Sequence, residues 1–383
     1  MTNRTKPNAY QRDYVTALGI MALFLLGLLL KNAEVAVDYM RAGLRLCAST
    51  VIPSLFPFMV VSEMLVAVGF GKQVGYRLDR FTTRLLGVSG ESFSAILLGA
   101  LCGFPIGAKT AISLYDSGRI SRREAERLMT LCNTPSPGFL VSAVGVSLFG
   151  NRAFGVFLFF TALFSALAVG LLWQRLSPIV PEEKSSPSPF QLPVNGISAF
   201  TRSVSSATAS MLSVCACVIF FTSIIGCLSH AANTLGLPSQ LEALLFGIFE
   251  ISSGVSAAAE EASAARLALC GFAIGWSGIS VHCQILSLGC DRGISFAPYL
   301  FTKLLQGIFC ALATFFYGKL LAPTLLDVSA SLLLRDSSYN LVLSLSICLC
   351  FLVCVLLHCK KKTKRLTNSD RLLPSTLDKV PKG

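Results

Sequence analysis

Lys109 stands directly after a glycine-punctuated heptad, LCGFPIG at 101–107, in an otherwise apolar stretch. A lysine at membrane depth costs roughly 2.5–3.5 kcal/mol on insertion scales, so it needs a partner or a task. Two readings are open: a counter-charge for an anionic ligand, or a side chain that snorkels to a nearby interface. Glu63 within PFMVVSEML and Glu250 within FGIFEISSG pose the same question. Each could hold a coupling proton or sodium ion, could pair with Lys109, or could serve a structural ion pair. Further on, CNTPSPGF sets Asn133, Thr134 and Ser136 among prolines, a polar break that leads into an apolar run. WSGISVHCQ supplies Ser277, Ser280, His282 and Gln284. Helical spacing places Ser280 with Gln284, and Gly278 with His282, on two adjacent polar stripes. His282 reads either as a hydrogen-bonded packing residue or as a ligand contact.

The heptad occurs twice. LCGFAIG at 269–275 differs from the first copy only at Ala273, where the first has Pro105. Gly103, Pro105 and Gly107, and in the second copy Gly271, Gly275 and Gly278, are suited to interrupting a helix. At membrane depth an interrupted backbone survives only where protein or a water-filled cavity surrounds it. The free half-helix ends can then hold anions at N-termini and cations at carbonyls. The rival reading is close packing through the G-x-x-x-G spacing present in both copies. Two copies, each followed by polar residues, favour paired breaks of a transport site.

The elements that must position these residues are membrane helices. The chain of 383 residues is 53% hydrophobic and 14% charged, with mean hydropathy +0.67, too few charges to cover a soluble globule. Apolar runs at 13–30, 51–69, 153–173, 204–228, 296–318 and 341–357, with less pure ones at 134–150 and 241–259, predict about eight transmembrane helices. The fold expected is an all-α polytopic membrane protein whose internally duplicated core holds two re-entrant or broken-helix hairpins. The divisions are a tail and first span at 1–32, a first repeat at 33–173, and a Pro/Ser-rich linker at 174–203. A second repeat at 204–320, a last span at 321–357 and a basic tail at 358–383 complete the chain. The amphipathic stretches 33–49 and 121–133, the latter opened by a Ser121-x-x-Glu124 capping box, are expected at the interface. Lys303 is expected near a span end, without special role.

Arginines on both sides of the first heptad and the tail HCKKKTKR favour the cytoplasm, which puts both termini inside. Much of the +12 net charge therefore sits at membrane edges, and no nucleic-acid partner is expected. A simple span count, with 241–259 as a full crossing, predicts parallel repeats. Most of the fourteen cysteines lie inside apolar runs without C-x-x-C spacing and read as small packing residues in a reduced setting. P-loop, H-E-x-x-H and nucleophile-elbow patterns are missing from the sequence, so no enzyme, cofactor or metal is expected. The solute partner would be a small anion, the solvent the lipid bilayer; the oligomeric state stays open.

The series VIPSLFPFMVVSEML, LCGFPIGAKT, ISRREAERLMTLCNTPSP, FGIFEISSG and WSGISVHCQ resembles the sporulation integral membrane protein family YlbJ, also called SpoVV, of the nucleoside-recognition Gate domain superfamily. The resemblance covers roughly residues 40–320. It implies a polytopic membrane transporter that moves dipicolinic acid toward the developing spore across the mother-cell-derived membrane. It also implies site positions at Glu63, Gly103, Pro105, Gly107, Lys109, Asn133, Thr134, Glu250, Ser277, Ser280, His282 and Gln284, and inverted rather than parallel repeats. Relatives in that superfamily carry nucleosides or ferrous iron, which leaves a nucleoside or cation as alternative cargo. A non-transporting scaffold of a sporulation complex is the third reading.

Overall fold

The computed structural model describes residues 9–178 and 196–321, apart from 235, 262, 264, 290 and 291. The last span expected at 341–357, the basic tail and most of the linker lie outside the described residues. Those described form helices only. Four are long and apolar enough to cross a membrane, Arg152–Leu176, Gly196–His230, Arg266–Gly289 and Ala297–Leu320, and up to six if two sharply bent pairs are counted as spans.

Helix α1 (Ala9–Lys31) leads at a bend of 96° into α2 (Ala33–Leu46), which continues through the π-turn Cys47–Val51 into α3 (Ile52–Ala67). The 33–49 stretch packs one face along a later helix, α9 (Gly196–Thr234), while Asp38 and Arg41 on its other face stay exposed. Gly226 meets Tyr39, Gly43 meets Ile219 and Thr222, and the Cys47 thiol faces the Cys215 carbonyl. The order of these contacts makes the two helices antiparallel. Val51, Leu55 and Met59 extend the seam against Ala207, Met211, Val214 and Val218.

Helix α4 (Phe70–Leu86) is amphipathic and turns by 91° into α5 (Phe93–Cys102) through a short 3-10 turn. After Gly103–Pro105 the chain reverses into α6 (Ile106–Asp116). A Cβ on Gly107 would come within 2.9 Å of the Gly99 Cα, so α5 and α6 are the two arms of a re-entrant hairpin. Helix α7 (Arg122–Leu131) follows, then the break at 133–137, then the π-helical segment Gly138–Leu148 and α8 (Arg152–Leu176). Ser121 caps α7 as its sequence predicts, with Oγ accepting from the Glu124 amide at 3.3 Å. The helix is nonetheless interior, since Leu128, Met129 and Arg127 are buried; its apolar face meets α6, α8 and a later span rather than lipid headgroups.

The second half repeats this plan. Helices α10 (Ser239–Phe249) and α11 (Ile251–Glu260) form a second hairpin that reverses at Glu250, where a Cβ on Gly254 would collide with the Gly247 backbone. A broken span, α12 (Arg266–Trp276) and α13 (Gly278–Gly289), and the straight span α14 (Ala297–Leu320) complete it. The Cys310 thiol of α14 meets Ser165 of α8 at 3.4 Å, joining the two straight spans.

The second heptad is therefore not a break. Residues 269–275 are helical throughout. Gly271 presses on Cys310 and Thr314, and Gly275 on Gln306 and Gly307, so this copy makes close packing between α12 and α14 through small residues. The second hairpin is built instead from 241–259, the stretch expected to cross. That reassignment reverses the parallel count. Hairpin 1 opens where Arg119 pairs with Glu91 and Arg292 pairs with Asp116. Hairpin 2 opens at the other end, where Gln240 bonds Glu261 and Arg266 stacks on Phe149 at the end of the π-helical segment. The repeats are inverted.

Substituting Ala at Gly107 or Gly254 places a methyl against backbone that cannot yield, while Gly27 has no neighbour within 4 Å. Overpacking of this kind costs about 1–3 kcal/mol. Heating detergent-solubilised variants before size-exclusion chromatography should show early loss of the folded peak for the first two and none for Gly27→Ala.

Candidate functional site

Each hairpin tip rests on the break of the span that follows it. Gly103 adopts φ +79°, a region open to glycine, and a Cβ there would sit 2.7 Å from the Ser136 amide nitrogen. The Phe104 amide donates to the Thr134 carbonyl at 3.1 Å, and Thr134 Oγ1 donates to the Gly99 carbonyl at 3.3 Å. Pro105 opens α6 after a cis Phe104–Pro105 peptide. Gly107 lies against the Cys132 carbonyl at the end of α7. In the other half Gly278, at φ +82°, would bring a Cβ within 3.0 Å of the Glu250 Cα. Ser277 also has positive φ and donates from Oγ to the Ile274 carbonyl at 3.3 Å.

The four interruptions converge. Phe104, Pro135, Ser136, Glu250, Ser252, Ser280 and Gln284 share the wall of one cavity of about 30 Å³, close to the volume of one water in the liquid. Glu250 is buried and caps α11, with Oε2 accepting from the Ser253 amide at 2.7 Å. Ser136 Oγ accepts from the Phe139 amide at 3.2 Å. The buried Ser280 Oγ and Gln284 Oε1 have no partner among the described residues, and a buried polar atom left unpaired costs about 1–3 kcal/mol. A second cleft of about 320 Å³ between α8 and α14 is larger, but its wall is mainly Phe157, Phe164, Phe309, Phe316 and other apolar side chains. Its wall holds no charged side chain and only Thr161 and Tyr317 as polar ones, whereas the small central cavity gathers a carboxylate, hydroxyls and an amide.

Not every residue singled out in the sequence reaches that cavity. Lys109, half-buried on α6, donates to Glu63 Oε1 at 2.6 Å and to the hydroxyls of Ser206 and Ser210. It ties hairpin 1 to α3 and α9, so its charge is already balanced by Glu63. His282 lies behind the cavity, with Nδ1 on the Tyr299 hydroxyl at 2.8 Å and its ring against Trp276; its Nε2 has no partner among the described residues. Asn133 is buried and donates from Nδ2 to the Met129 carbonyl at 2.8 Å.

Lys303 is the residue that sequence reading passed over. It is the seventh residue of α14 and is 1% exposed, so it is buried in the protein and has partners there. Its Nζ donates to the Asn133 carbonyl at 3.0 Å and to Gln306 Oε1 at 3.2 Å, while Gln306 Nε2 donates to the Thr130 carbonyl at 3.1 Å. These two side chains of α14 satisfy carbonyls left open where α7 ends, an end that favours a cation. A signal for this was present in the sequence, since Lys303 and Gln306 lie on one helical face of an apolar span.

No family model matches the chain, and no solved structure does. The chain is similar to the sporulation integral membrane protein YlbJ of Bacillus subtilis (strain 168), with 29% identity over 324 residues that cover 76% of this chain and 79% of that protein.

Removing one member of the Lys109–Glu63 pair leaves the other charge unbalanced in a partly buried position. Lys109→Met should lower stability in detergent by about 1–3 kcal/mol, below the range for fully buried pairs because the lysine is partly exposed. Lys109→Met combined with Glu63→Leu should recover most of that loss. A double variant less stable than Lys109→Met would show that the pair is not what holds these helices together. Similarity in sequence and structure agree: the chain is an all-helical, multi-span membrane protein similar to a sporulation integral membrane protein.

Proposed function

We propose that this sporulation-associated membrane protein transports a small organic anion, dipicolinic acid best fitting the family resemblance, by alternating access at its two hairpins. One observation carries the proposal. Two re-entrant tips from opposite ends and two broken spans meet at a single buried cavity with unpartnered polar atoms. Interrupted helices of this kind are the usual build of a carrier site. A cavity of about 30 Å³ is far below the roughly 300–1,000 Å³ of ligand clefts, so a solute enters only when one hairpin withdraws from its facing break.

Charge adds a condition. Glu250 is the charged side chain on the cavity wall, and an anion beside an ionised carboxylate in a low-dielectric interior is strongly disfavoured. A proton or sodium ion on Glu250 removes the conflict, which makes coupled entry of anion and cation the consistent mechanism. The arginines near the mouth of hairpin 1, among them Arg119, Arg122, Arg123 and Arg292, support a cytoplasmic orientation for that end. The same carboxylate favours the alternative of a nucleoside or cation as cargo.

Proteoliposomes of the full chain should take up radiolabelled dipicolinate, with accumulation driven by an inward proton or sodium gradient. Glu250→Gln should retain downhill exchange and lose gradient-driven accumulation. Uptake competed by uridine or inosine but not by dipicolinate would replace the anion with a nucleoside. Unchanged gradient dependence in Glu250→Gln would remove Glu250 from coupling.

A further inference from the structure

Of the two lysines at membrane depth, Lys109 is neutralised by Glu63. Lys303 is not. Its ammonium is almost completely buried, and its two hydrogen-bond partners among the described residues, the Asn133 carbonyl and the Gln306 amide oxygen, are uncharged. A buried cation without a carboxylate is expensive to maintain and marks a functional position by default. The neutral acceptors reduce that cost without cancelling the charge.

The location gives the charge a purpose. Asn133 begins the break whose Pro135 and Ser136 form the cavity wall, so Lys303 is bonded to the segment that hairpin 1 must leave when the site opens. Across the same cavity Ser280 and Gln284 present unpartnered, buried oxygen atoms. Tyr299, one turn before Lys303 on α14, holds His282 from behind. The facing straight span of the other repeat carries no such charge, since Ser165 of α8, the partner of Cys310, is flanked toward the start of its helix by Thr161, Phe160 and Leu158. The inverted scaffold is doubled, and the cation bonded to the cavity's own break is present in one half; the other buried cations among the described residues, Arg127 and Arg266, bond the Ser177 and Ala259 carbonyls, which form no part of that wall.

We infer that Lys303 is the charge-selecting residue of the transport site: when the Asn133–Ser136 break moves, its ammonium exchanges the Asn133 carbonyl for a carboxylate oxygen of the solute. The inference rests on the anion-transport reading above and names the residue that distinguishes an anion from a neutral solute of the same shape. Lys303→Gln keeps hydrogen-bond donors toward Asn133 and removes the charge; Lys303→Arg keeps the charge.

The test compares pyridine-2,6-dicarboxylate with its uncharged diamide as ligands of the purified full-length protein by isothermal titration calorimetry, alongside melting temperature. Wild type should prefer the dicarboxylate. Lys303→Gln should lose at least tenfold in dicarboxylate affinity, with diamide binding and melting temperature little changed, and Lys303→Arg should restore the preference. A Lys303→Gln protein that still prefers the dicarboxylate as strongly as wild type overturns the inference and leaves the transport reading intact. Should Gln unfold the protein, the ratio of the two affinities in Lys303→Arg decides: an unchanged ratio supports charge selection, and a lost ratio in a folded protein overturns it. Wild type that binds neither compound overturns the anion reading itself and this inference with it.

Discussion

The structure depends on one constraint: a helix interrupted at membrane depth must find partners inside the protein for the peptide groups it frees, because lipid offers none. Four interruptions meet at the cavity, and hydrogen bonds from their own caps or from neighbouring elements answer the groups they free. The tip of hairpin 1 donates its Phe104 amide to the Thr134 carbonyl in the second break, and α14 sends Lys303 and Gln306 to the carbonyls at the end of α7. Glu250 closes the start of α11 with its own carboxylate, and the Trp276 indole donates to the Ile248 carbonyl beside the same tip. The tips are therefore held by hydrogen bonds that can be exchanged, alongside apolar contacts of Ile106 and Ile251 with the core. That is the energetic condition for a site that opens on one side at a time.

Close backbone approach is the second requirement, and it explains where the glycines fall. Gly99 with Gly107 and Gly247 with Gly254 let hairpin arms touch, while Gly271 and Gly275 let α12 lie against α14. Two heptads that differ at one position thus serve different geometry. In the first, Pro105 and the positive φ of Gly103 end the helix; in the second, Ala273 permits i to i−4 bonding to continue, and the same glycines become a packing face.

Much of this was legible in the sequence. Apolar runs at 153–173, 204–228 and 296–318 are spans, the polar CNTPSP stretch is a break, and CGFPIG is a hairpin tip, because local chemistry decides each of these; the second span breaks at Ser277–Gly278, just past the heptad expected to break. The second hairpin was not legible: 241–259 is apolar enough to cross, and only the contact of Gly254 with Gly247 reveals the reversal at Glu250. Nor was the balance of charge. Lys109 drew attention by following a glycine motif, yet Glu63, Ser206 and Ser210 come to it from distant helices. Lys303 looked ordinary because the Asn133 carbonyl that accepts from it lies far away in sequence; Gln306 on the same helical face was the one visible cue.

The central claim is that hairpin tips from opposite ends close on one cavity that each can open. Ser280→Cys in a chain freed of its native cysteines tests it, because Ser280 is fully buried on the cavity wall. A membrane-impermeant thiol reagent applied in turn to each face of sealed vesicles should label the introduced thiol from both sides, slowly, with protection by dipicolinate in each case. Labelling from one face alone, or none from either while transport continues, would contradict alternating access at this cavity.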